Sequence, residues 1–142
     1  MWIANIPAEM WLDPALQAAR PELVFLGPAP QSDVATRTAA GLFAHIAWHS
    51  RSAYVYILLH RDASAIYVGK TRNPVGRFSK HRRREWWSEV HNLVLLRVEA
   101  DTSENADTLA FHVESLFIKR LCPDWNVVGV DDRPRWKRGV YA

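Results

Sequence analysis

Two β-rich runs separated by a short polar break constrain this chain more than any other feature. Ala53–His60 is dense in aliphatic and aromatic residues, Asp62–Ser64 interrupts it, and Ala65–Lys70 resumes it. Runs joined so closely predict a hairpin. Side chains alternate across a strand, so Tyr54 and Tyr56 share a face, Tyr67 and Gly69 share a face, and Ile66 and Val68 take the other. In the hairpin Tyr56 and Tyr67 come to the same side of the sheet. Asn73 followed by Pro74 reads as a cap and first helical residue, opening a helix through about Arg83. Asn92–Glu99 alternates Leu93, Leu95 and Arg97 and predicts a third strand. Asp101 to Glu104 has the spacing of a capping box, opening a long helix that ends by Cys122 and Pro123. The order strand, strand, helix, strand, helix predicts an α/β (α+β) fold, a small three-stranded antiparallel sheet flanked by helices.

The first fifty residues read differently. Asp13 to Arg20 predicts a short helix with Pro14 in its first turn. Pro21, Pro28 and Pro30 around Gly27 break the next stretch, and Val34, Thr38, Leu42 and Ile46 space one face of a second helix. The expected organisation is an N-terminal helical extension (1–50), a domain of strands and helices (51–130) and a basic tail (131–142). A chain of 142 residues, 49% of them hydrophobic, can build one packed core. The single cysteine, Cys122, closes no intrachain disulfide and supplies no thiolate cluster. No apolar run is long enough to span a bilayer, and the N-terminus is unlike a signal peptide, so a cytoplasmic protein without a membrane partner is expected.

A net charge of +3 says little, but its distribution says more. Lys70, Arg72, Arg77, Lys80, Arg82, Arg83 and Arg84 follow one another without an intervening acid, and Arg133, Arg135, Lys137 and Arg138 gather around Trp136. Such concentration attracts phosphate backbones by counterion release. Within the first cluster Arg77 and His81 stand four apart on one helix face, with Arg84 three residues further. An arginine fork can clamp a phosphate, and a histidine beside it can move a proton. On the long helix, Ala106, Leu109, Ala110, Val113, Leu116, Phe117 and Leu121 form an apolar stripe with Glu114 at its edge. A carboxylate placed there needs a partner, either a hard divalent cation or an arginine such as Arg77. Each feature alone has a plain structural explanation: strand packing for the tyrosines, a solvated basic face for the helix, a salt bridge for Glu114.

Together, the order Tyr56, Tyr67-Val68-Gly69, Arg77, His81, Glu114 and Asn126 resembles the GIY-YIG nuclease family over roughly residues 53–128. Tyr54-Val55-Tyr56 stands in place of the Gly-Ile-Tyr motif, keeping its tyrosine, and Tyr67-Val68-Gly69 in place of Tyr-Ile-Gly. The resemblance implies hydrolysis of phosphodiester bonds in double-stranded DNA by one Mg²⁺ or Mn²⁺ held at Glu114. It implies Arg77 as stabiliser of the phosphorane charge, and Tyr56 with Tyr67 or His81 to orient and deprotonate water. Lys70, directly after the second motif, is a further candidate beside the nucleophilic water. Arg72, Lys80, Arg84 and Asn126 are the expected nucleic-acid contacts. One site per chain implies two chains or two successive nicks for a double-strand break. The competing readings are a catalytically inactive nucleic-acid-binding module of the same fold, and an interaction module built on residues 1–50 and the tryptophans. Trp86 and Trp87 are expected to anchor the loop before the third strand.

Overall fold

The computed structural model describes residues 6–29, 51–81 and 83–126. The segment expected to form a second N-terminal helix, Arg82 and the C-terminal basic cluster lie outside the described residues. After a 3₁₀ turn at Ala8–Leu12 the elements are α1 (Pro14–Ala19), β1 (Glu22–Pro28), β2 (Ser52–Leu59), β3 (Ala65–Thr71), α2 (Pro74–His81), a 3₁₀ turn at Glu85–Glu89, β4 (Asn92–Glu99) and α3 (Ser103–Leu121).

The sheet has four strands in the order β1-β4-β2-β3, not three, and all its pairings are antiparallel. The additional strand lies in the segment where the prolines were expected to break structure. Leu23, Val24, Phe25 and Leu26 favour an extended chain, and β1 is an edge strand whose only proline, Pro28, ends it. Proline is excluded from central strands because it withholds a ladder donor; at an edge it costs little. The first fifty residues therefore contribute a strand to the sheet as well as the expected helix α1, whose Asp13 side chain accepts from Ala15 N–H.

The central strands β2 and β4 are almost wholly buried because both sheet faces are covered. One face carries Val55, Ile57, Val68, Val94, Leu96 and Val98 beneath α1 and the apolar stripe of α3, with Ala106, Ala110, Val113 and Phe117 fully buried. Burying a side chain the size of Val113 or Phe117 stabilises by about 1.5–3 kcal/mol. The other face carries Tyr54, Tyr56, Leu58, Leu93 and Leu95 beneath Phe78, Trp86 and Trp87. Ile66 belongs to this second cluster rather than to the side of Val68. The cause is a register shift between Leu58 and Leu59, where Leu58 faces Tyr67 and Leu59 faces Ala65, so strict alternation fails at Ile66.

The caps follow the sequence closely. Asn73 Oδ1 accepts from Gly76 N–H at 3.2 Å ahead of α2. The cap of α3 is Thr102, accepting from Asn105 N–H, one residue beyond the expected Asp101. Cys122 ends α3 in the left-handed conformation, and Pro123 cannot continue it. The chain then runs along β3: Asp124 N–H donates to Ala65 O, Trp125 N–H to Ile66 O, and Asn126 grips the Val68 peptide. Among the described residues no helix is long and apolar enough to cross a membrane.

Candidate active site

β3 is the far edge of the sheet, and the candidate site forms around the part of it that residues 124–126 leave free. Gly69 faces Tyr56 across the hairpin. A Cβ on residue 69 would overlap the Tyr56 hydroxyl, so the glycine lets the phenol ring lie across β3. Gly69 makes room for a side chain of its own sheet. Tyr56 thereby reaches α2, where its hydroxyl lies 2.6 Å from Nε2 of His81. Phe78, three residues before His81, meets the Tyr56 ring edge-on at 5.3 Å and fixes its position.

Tyr67 joins the pair. Its ring stacks on Tyr56 with centroids 6.1 Å apart and meets His81 at 4.9 Å. Trp86 lies nearly parallel to Tyr67, 14° off at 5.5 Å, and tilts against His81. Both Trp86 and Trp87 are buried, the loop-anchoring role expected of them, but Trp86 also walls the site. The pattern Trp86-Trp87 carried no signal for that stacking.

Enclosure by these rings sets the protonation states. Tyr56 is 0% exposed, and burial holds its phenol well above the ordinary 10.0, with the Tyr67 hydroxyl adding to the rise and Arg77 opposing it. Burial also raises Tyr67, again against the pull of Arg77. His81, 5% exposed, is pushed down to about 4 by burial first and then by the charges of Arg77 and Arg84. Its imidazole is thus neutral at pH 7. Nδ1 of His81 is buried with no partner among the described residues, so Nε2 makes its one hydrogen bond, to Tyr56.

Glu114 approaches from the opposite face of the sheet. α3 covers that face, and the half-buried carboxyl at the edge of its stripe reaches the free edge of β3. Main-chain amides alternate in direction along a strand. Val68 turns its N–H outward to Asn126, so Lys70, two residues on, also turns its N–H outward, and Glu114 lies there. Burial raises the Glu114 carboxyl, while the Lys70 charge and main-chain amide and the Arg77 charge pull it down. Arg77 is the common element: its charge acts on Tyr56, Tyr67, His81 and Glu114 alike.

The other expected residues fall elsewhere. Arg72, Lys80 and Arg84 are exposed along the basic surface around α2. Asn126, expected at the nucleic acid, is buried, and its amide is occupied: Oδ1 accepts from Val68 N–H at 2.8 Å and Nδ2 donates to Val68 O at 2.7 Å. Tyr54, in place of the first motif's glycine, is fully buried on the same sheet face as Tyr56 and pairs with Arg97. Lys70 Nζ is held by Asp107 Oδ1 at 2.9 Å. Asp107 was not singled out in the sequence, though its place seven residues before Glu114, two turns along one helix face, was a usable signal. Among the described residues no three His, Cys, Asp or Glu side chains gather as a metal cluster.

Buried tyrosine paired with neutral histidine, an arginine whose charge reaches both, and a lone carboxyl across a strand edge thus gather at one end of β3. Residues 52–108 match the family model described as the GIY-YIG catalytic domain. The match supports membership of this part of the chain in the GIY-YIG superfamily, in line with the order of its motifs. The match ends before Glu114, whose place in the site rests on the geometry above. Comparison with curated proteins and with solved structures gave no match.

Proposed function

We propose that this chain is an endonuclease that hydrolyses phosphodiester bonds in DNA with one divalent cation, Mg²⁺ or Mn²⁺, bound at Glu114. The observation that carries the reading is the 2.6 Å contact between the Tyr56 hydroxyl and Nε2 of a neutral, buried His81, beside Arg77. A tyrosine whose phenol is held well above 10 is no base by itself at neutral pH. With His81 as acceptor it becomes one: Tyr56 takes the proton of the attacking water while passing its own proton to Nε2. The water oxygen bonds to phosphorus, the opposite P–O bond breaks, and the departing oxygen leaves with its electron pair. Arg77 stabilises the charge that accumulates on the phosphoryl oxygens. Trp86 and Tyr67 exclude bulk water from the relay.

Glu114 fits a cation. It is half-buried, and among the described residues it makes no ion pair; the main-chain amide of Lys70 faces it and leaves its remaining oxygen valence for a cation. Magnesium accepts one or two carboxylates and retains several waters, which suits a site without a three-ligand cluster. Such a cation would bind a phosphate oxygen and offset charge on the departing one. The exposed Arg72, Lys80 and Arg84 are suited to neighbouring phosphates of double-stranded DNA.

The test is cleavage of supercoiled plasmid with Mg²⁺ and with Mn²⁺, using wild type, Tyr56→Phe and Glu114→Ala, with EDTA controls. Nicking or linearisation by wild type alone is expected. Full metal-dependent cleavage by Glu114→Ala would overturn the assignment, and DNA binding without cleavage by wild type would favour a binding module.

A further inference from the structure

Asp107 and Glu114 lie about 10 Å apart along one face of α3, at 1.5 Å per residue. The Lys70 side chain comes to this face from β3. An ammonium near two carboxylates must choose, and here it pairs with Asp107 at 2.9 Å. Among the described residues it makes no ion pair with Glu114, although its charge acts on that carboxyl. Asp107 lies outside the catalytic constellation and has no other ion pair among the described residues.

We propose that Asp107 is a positioning residue that holds the Lys70 ammonium away from Glu114 and so keeps that carboxylate open to the divalent cation. The inference rests on the nuclease reading of the site. Lys70 is fixed close to Glu114 by the backbone, because its own main-chain amide faces that carboxyl. Without Asp107, the ammonium is left to Glu114, the carboxyl on which its charge already acts, and the lysine and the cation then compete for the same oxygens. With Asp107 in place, the charges alternate along the face and the ammonium stays with Asp107. Asp107 is more exposed than Lys70, so it can be replaced without opening the core.

The experiment is Mn²⁺ binding to the full chain by titration calorimetry, with wild type, Asp107→Asn, Lys70→Met, the double variant Asp107→Asn/Lys70→Met, and Glu114→Ala. Asp107→Asn should weaken Mn²⁺ binding about three- to tenfold, the weight of a partly screened ion pair transferred to Glu114. Lys70→Met should bind at least as tightly as wild type, and the double variant should return to within about twofold of it. The Mg²⁺ concentration giving half-maximal plasmid cleavage should move by the same factor in Asp107→Asn. Wild-type affinity in Asp107→Asn overturns the proposal. So does a double variant as weak as Asp107→Asn, which would make Asp107 a ligand in its own right. Weakened binding in Lys70→Met overturns it without reliance on any Asp107 variant. Failure of wild type to bind Mn²⁺, or unchanged binding in Glu114→Ala, removes the metal reading itself and the inference with it; those outcomes are distinct because they do not depend on residue 107.

Discussion

Gly69 stands directly opposite Tyr56 in the β2–β3 ladder, and the phenol ring occupies the space that any other side chain at residue 69 would take. Its role is local: it sets where one hydroxyl sits. Gly69→Ala should lower stability by about 1–3 kcal/mol through overpacking. It should also displace Tyr56 from His81, so that cleavage falls further than the stability loss explains. Urea unfolding beside plasmid cleavage, at a temperature where the variant stays folded, measures both. Unchanged cleavage would separate Tyr56 from the chemistry.

Tyr56→Phe keeps the ring contacts with Tyr67 and Phe78 and removes only the hydroxyl. The expected loss of stability is about 1 kcal/mol, one hydrogen bond to a buried ring nitrogen. The expected loss in kcat is about 10²–10⁴-fold, the weight of proton transfer by a positioned group. His81→Gln should reproduce most of that loss. If His81→Gln cleaves like wild type, Tyr56 does not pass its proton to residue 81.

Acid should act on the fold through His81. Its folded value of about 4 lies below the ordinary 6.5, so on acidification the unfolded chain takes up this proton first. The stability gained from keeping the imidazole neutral is complete above about 6.5 and is lost as pH falls towards about 4. Glu114, raised by burial, contributes with the opposite sign. A His81→Phe variant should therefore show a flatter loss of stability between those pH values than wild type, read from urea midpoints across the range. Parallel profiles would mean that His81 is not protected from protonation.

Asn126→Ala tests whether this side chain serves the strand or the substrate. Both its polar groups are bonded to the Val68 peptide, so its loss should cost about 1–3 kcal/mol in stability through two unmet main-chain groups. Affinity for duplex DNA, measured on folded protein by fluorescence anisotropy, should change little, whereas Arg84→Ala should weaken it and reduce its salt dependence. A stable Asn126→Ala with weakened DNA binding would return the asparagine to the interface.

The parts of the fold legible in the sequence were those governed by local chemistry. β4 spans Asn92–Glu99 as its alternation required, and Asn73 with Pro74 opens α2. The apolar stripe of α3 faces the sheet and leaves Glu114 half-buried at its margin. What escaped was decided by position in the sheet. β1 was hidden because proline reads as a breaker until the strand is known to be an edge. Ile66 changed faces at a bulge that no residue there announces. In the site, Tyr56 and Tyr67 were legible as neighbours from strand alternation, whereas the meeting of His81 with them was implied only by the family resemblance. The neutral state of His81 was not, because it depends on Trp86, in the turn beyond α2, folding back over it. Asn126 could be placed only once the path of the chain after Pro123 was known.

That path also guards an edge. An outermost strand presents a row of unsatisfied amides and carbonyls, a template on which a second chain can add itself. β3 has such a row, and the donors of Asp124 and Trp125 with the amide of Asn126 occupy it from Ala65 to Val68. Residues 124–126 thus cover this edge against the addition of another strand as far as Val68, and the cover ends where the strand reaches Gly69, so that one strand is half sealed by its own chain and half given over to the candidate site.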